Sequence, residues 1–146
     1  MKVEDEMAGQ RRPRGFSMIE LLIVMVIISI LAAIAVPVYA AQRDKARNAA
    51  AREGGRVIVT GLLTYVIQQP GEAQWPPACN QDLLLGAGCL EATEWPKNPW
   101  TGVDMKQVHA ATPGDYRYEP DPRPGKRRQR YHLVVFLKNA DPYMVP

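Results

Sequence analysis

Residues 16–39 read FSMIELLIVMVIISILAAIAVPVY, 24 residues that carry one charge, Glu20. Between Leu21 and Val38 there is no charge, and only Ser29 and Pro37 are not plainly apolar. A helix of about 20 residues is roughly 30 Å long, the thickness of a bilayer core. No polar residue recurs at helical spacing, so the helix is apolar on all sides and belongs in a membrane or inside an assembly. Three readings compete. In a cleaved secretory signal, Arg11, Arg12 and Arg14 supply the positive region, Leu21 to Leu31 the apolar region, and Ala33-Ile34-Ala35 the cut site. In a plain anchor nothing is removed. In the third, a leader is cut before the apolar run, which stays in the mature chain.

Glu20 bears on the choice. A carboxylate costs roughly 2.5–3.5 kcal/mol at the centre of a membrane span and less near its edge. A signal or an anchor gains nothing from it. It points to a partner, or to a side chain that reaches back to the membrane surface. Charge bias does not orient the span, because Arg11, Arg12 and Arg14 on one side are matched by Arg43, Lys45 and Arg47 on the other.

The stretch Gly15-Phe16-Ser17-Met18-Ile19-Glu20-Leu21-Leu22-Ile23-Val24 resembles the class III signal of bacterial type IV pilins and type II secretion pseudopilins. The resemblance covers about Arg14 to Tyr39. It implies a leader of residues 1–15 removed by a prepilin peptidase, which also methylates the new amine of Phe16. It assigns Glu20 as the fifth-position acid used in assembly. Pro37 matches a proline that many members carry about 20 residues into the helix. The implied partners are the peptidase, other pilin subunits and an inner-membrane assembly platform. The implied course is a single-pass inner-membrane subunit that becomes an extracellular or periplasmic filament.

Helical periodicity continues beyond the apolar run. Ala46, Ala50, Gly54, Val57, Ile58, Gly61, Leu62 and Tyr65 recur at spacings of three and four, and Gln69-Pro70-Gly71 reads as a stop. One helix over about 17–68 is expected, kinked or locally opened at Pro37 and weakened at Gly54-Gly55. Residues 69–114 are turn-rich. Leu83-Leu84-Leu85 reads as a helical turn or a short buried piece. Asn98-Pro99-Trp100-Thr101-Gly102 resembles a Pro-Trp turn of simple pilins and major pseudopilins, and as plain packing it reads as a hydrophobic staple over the core. Asp115–Glu119 and Tyr131–Leu137 read as strands within a small sheet over 115–146, joined by a proline-rich loop over 120–130. The expected fold is α+β: a long N-terminal transmembrane helix over 16–39, then a domain over 40–146 in which the helix continues to 68 and packs on a small antiparallel β-sheet.

The remaining chemistry is sparse. The 146 residues hold 18 Lys+Arg against 15 Asp+Glu, a net +3 that is too small for a histone-like nucleic-acid binder. Two cysteines cannot make a four-thiolate zinc site. Cys79 and Cys89 are expected to pair if the domain lies in an oxidising compartment, the alternative being two free buried thiols. His109 and His132 are isolated and read as structural or surface residues. There is no HExxH, GxSxG or Walker A pattern, and no enzyme, cofactor or metal is expected. Lys126, Arg127, Arg128 and Arg130 form the densest basic run, readable as a DNA or anion contact and more simply as a solvated hairpin loop. Tyr116, Tyr118 and Tyr131 alternate as sheet residues do. Major secretion pseudopilins carry an acidic calcium loop. Here Asp115, Glu119, Asp121 and Asp141 are dispersed among prolines and arginines, which leans toward a pilus subunit. The function expected is therefore a structural filament subunit. The alternatives are a secretion pseudopilin and a minor pilin that binds DNA or surfaces.

Overall fold

A computed structural model describes residues 15–69, 75–120 and 131–145. The chain divides into two units, Met1–Tyr39 and Ala40–Pro146. Helix α1 runs Met18–Gln68 and contributes to both. Its start matches the reading from sequence within one residue, because Ser17 closes the first turn by accepting a hydrogen bond from Leu21 N at 3.2 Å. Pro37 lies inside α1, which continues through it, so the local opening expected there is absent from the single chain. A proline removes one helical bond and crowds the carbonyl four residues earlier.

The second unit adds helix α2 (Gln81–Gly86) and strands β1 (Tyr116–Pro120), β2 (Tyr131–Val135) and β3 (Tyr143–Val145). The strands form an antiparallel sheet in the order β1-β2-β3. Tyr118 stands opposite Leu133, and Leu133 opposite Val145. Strand alternation turns Tyr116, Tyr118, Leu133, Val135 and Val145 inward, where they share one core with Ala51, Ile58 and Leu62 of α1 and Leu84 of α2. Both inward tyrosines satisfy their hydroxyls: Tyr116 donates to Cys79 O and Tyr118 to Pro76 O, each at 2.8 Å. Pro120 belongs to β1 rather than to the loop, and β2 stops at Val135, two residues before the expected end. The basic run Lys126, Arg127, Arg128 and Arg130 lies outside the described residues.

Two expectations about α1 are corrected by what packs against it. Gly54 and Gly55 are not weak points. A Cβ on Gly55 would stand 2.5 Å from Val135 Cγ2, one on Gly54 2.5 Å from Met105 Sδ, and one on Gly61 2.6 Å from Leu90 Cδ1. The glycines therefore let the sheet and the loops approach the helix axis, which offsets their poor helix propensity. The buried stripe follows the expected one at Gly54, Ile58, Gly61 and Leu62 and departs from it at its start. Ala46 and Ala50 are exposed, whereas Asn48, Ala51, Gly55 and Val59 are buried. Asn48 explains the departure. Its Nδ2 donates to Lys138 O and its Oδ1 accepts from Lys138 N, both at 3.0 Å, so a polar side chain is buried at no hydrogen-bonding cost. Hydrophobic periodicity has no means of registering such a residue.

The turn at residues 98–102 packs Trp100 against the core, as a staple would, and is also held by polar contacts. Asn98 is 1% exposed. Its Oδ1 accepts from Trp100 N at 2.9 Å, and its Nδ2 donates to Pro113 O and Asp115 Oδ1, each at 3.0 Å. Asp115 Oδ1 also accepts from Lys106 N at 3.1 Å. Gly114, at φ 84°, passes directly beneath Asn98, and a Cβ there would collide with the Asn98 side chain and with Trp100.

Candidate assembly helix and cleavage site

Gly15, Phe16 and Ser17 precede the first helical residue and are exposed, so the Gly15–Phe16 bond lies on accessible, non-helical backbone. Gly15 has no heavy atom near where a Cβ would be, and Phe16 is 76% exposed. Glu20 occupies the first turn of α1 and is exposed, without a side-chain partner among the described residues. The unpaired N–H groups of that turn make its field favourable to a carboxylate. Phe16 and Glu20 are four residues apart, roughly 6 Å along a helix axis.

Beyond Glu20 every residue through Tyr39 is exposed, including Leu21, Leu22, Ile23, Ile27, Ile30 and Leu31. None of the most apolar 18-residue window of α1 is buried, and by length and composition the helix can cross a membrane. Apolar surface in water costs about 25 cal/mol per Å², so a helix bare on all sides needs lipid or other helices around it. Between Leu21 and Val38 the one side-chain hydroxyl is satisfied internally, Ser29 Oγ donating to Val26 O at 2.7 Å, so no polar side chain there opposes burial.

The expected Cys79–Cys89 pair is not seen. Cys79 and Cys89 are both free and both buried. They flank α2, whose N-cap Asn80 accepts from Leu83 N at 3.0 Å and whose C-terminal end turns through Gly88 at φ 67°. The two sulfurs have different settings. Cys89 Sγ points toward Gln68 Oε1 and Ala87 O, at 3.6 and 3.7 Å. Cys79 is packed within the core next to Tyr116, and burial pushes its thiol from the ordinary 9.0 up to about 12. The thiolate is the reactive form, so alkylation of native protein at pH 8 is expected to be slow and to become fast in denaturant. A thiol pKa raised on folding also has a stability consequence of definite sign. Its contribution is whole below pH 9.0 and is lost as pH rises toward 12, which urea melts across that range would display. Rapid labelling of Cys79 in native protein at pH 8 would contradict this placement.

The late acids do not converge. Asp115 is held by Asn98 and Lys106, and Glu119 lies 3.2 Å from Arg117, while Asp121 falls outside the described residues. Among the described residues no group of three His, Cys, Asp or Glu is placed to hold a metal ion. His132 sits on the outer face of β2, opposite Glu119. Sequence reasoning missed Asn48 and Asn98. The signal for Asn98 was available in the Asn-Pro-Trp-Thr-Gly turn, where a buried asparagine suits a helix-free loop needing backbone partners.

Residues 10–36 match the family described as the prokaryotic N-terminal methylation motif. This is the class III signal of type IV pilins and pseudopilins, and it contains Gly15, Phe16 and Glu20. No curated protein and no solved structure matches the chain.

Proposed function

We propose that this chain is a structural subunit of a type IV pilus-like filament. A prepilin peptidase removes residues 1–15 and methylates the amine of Phe16. The helix over residues 16–39 then holds the subunit in the inner membrane until an assembly platform transfers it into the filament, where neighbouring helices replace the lipid. The observation that carries this reading is the conjunction of an N-terminal methylation motif with an apolar helix that has no burial of its own. Its work is assembly rather than catalysis. The separate engagement of Asp115 and Glu119 favours a pilus subunit over a calcium-dependent secretion pseudopilin.

Processing is directly testable. Cleavage after Gly15 leaves 146 − 15 = 131 residues that begin at methylated Phe16. Mass spectrometry of the mature N-terminus is expected to show that start. A start at Val36 would identify an ordinary secretory signal instead and remove the filament reading.

A further inference from the structure

We propose that Arg43, Lys45 and Arg47 form a headgroup-binding girdle for anionic phospholipid on the far side of the membrane from the leader. The proposal rests on the membrane reading of residues 16–39. It begins from the basic residues that defeat any orientation by charge bias.

Between Glu20 and Glu53 the chain has four basic residues, Arg43, Lys45, Arg47 and Arg52, and one acid, Asp44. Asp44 does not neutralise its neighbours. Its Oδ2 lies 3.1 Å from Lys138 Nζ, a residue 94 positions away in the turn after β2, and the adjacent Asn48 clamps the same residue's backbone. The fold thus draws the only local carboxylate toward the domain. Arg43 and Lys45 are exposed and Arg47 half-buried, and among the described residues none of the three has an acidic partner.

Their placement suits a plane rather than a docking protein. At 3.6 residues per turn, Arg43 and Arg47 lie on one flank of the buried Asn48–Ala51 face and Lys45 on the other. A protein partner reads one face of a helix, whereas a surface pierced by a helix meets all its sides at one level. The three residues span about 6 Å along the axis, and Arg43 is about 7.5 Å beyond Val38. The polar layer on each side of a bilayer core is roughly 5–7 Å deep, and long basic side chains can bend back into it. Phosphate oxygens there match guanidinium and ammonium donors. Each basic residue held at an anionic surface favours association by about 5-fold at low salt, so three reach on the order of 100-fold. The girdle would fix how far the helix emerges while the subunit waits in the membrane.

The test uses the full chain reconstituted in mixed phosphatidylcholine and phosphatidylglycerol bilayers. Spin-labelled forms of each lipid report which one surrounds the protein, and resistance to alkaline carbonate extraction reports insertion. The R43Q/K45Q/R47Q variant is expected to stay inserted but to lose at least about 5-fold of the phosphatidylglycerol preference at low salt. The charge-preserving R43K/R47K variant should keep that preference, and high salt should erase it in the parent chain. An inserted triple variant with undiminished preference would overturn the girdle and leave the filament reading standing. Failure of the parent chain to insert would overturn the membrane reading and the girdle with it.

Discussion

Glu20→Ala is expected to abolish or sharply reduce filament assembly while leaving cleavage after Gly15 intact. The cleavage bond precedes α1 and is exposed, and among the described residues Glu20 has no side-chain hydrogen bond or ion pair. After cleavage the amine of Phe16 is cationic at neutral pH. As the subunit leaves lipid, that amine enters a bundle of apolar helices, where an unpaired charge is very costly. In the proposed filament the carboxylate of Glu20, on the same or a neighbouring subunit, would neutralise it. An intersubunit pair also sets axial register, because a subunit slipped by one turn leaves two charges buried alone. Breaking such a pair costs about 3–5 kcal/mol, a factor of roughly 100 or more in each addition step. Glu20→Asp should fall between, since its shorter side chain reaches less far. Gel mobility reports leader removal and microscopy reports filaments. Normal filaments made only of Glu20→Ala subunits would remove the charge-pairing mechanism.

A second large effect is expected far from the helix, at Asn98. Replacing it by Ala orphans Trp100 N and Pro113 O and takes one donor from Asp115. Each buried polar group left without a partner costs about 1–3 kcal/mol. A loss of about 3 kcal/mol is therefore expected, set against a total stability of roughly 5–15 kcal/mol. For a domain of this size that lowers Tm by roughly 10–20 °C. Near-UV circular dichroism of the detergent-solubilised chain measures it. A change under about 0.5 kcal/mol, the usual range of surface substitutions, would show that the turn is not held through this side chain.

The long helix was legible because its signals are strong and local. A charge-free run sets its first half, and Gln69-Pro70-Gly71 marks the end close to Gln68. The β1–β2 pair was legible from alternation, which puts Tyr116 and Tyr118, and Leu133 and Val135, on one face. What escaped has a common physical character. Strand β3 has three residues, too few to show a period. Asn48 and Asn98 are buried because distant backbone groups meet them, information that no local pattern holds. The glycines at 54, 55 and 61 looked like defects in a helix until the neighbours that need the missing Cβ were placed beside them. The disulfide was inferred from compartment, which says nothing of where the two sulfurs sit, and both are free and buried. On the membrane side the motif itself was readable, since Gly15, Phe16 and Glu20 fall within the matched residues 10–36.

The central claim is that this chain, cut after Gly15, polymerises through residues 16–39. Electron cryo-microscopy of filaments from cells in which this chain is the only subunit tests it most directly. The expected density begins at Phe16, gathers the helices of residues 16–39 along the filament axis, and places the Phe16 amine against a Glu20 carboxylate. Filaments whose subunits retain the Gly15–Phe16 bond, or whose apolar helices lie outside the subunit contacts, would contradict it.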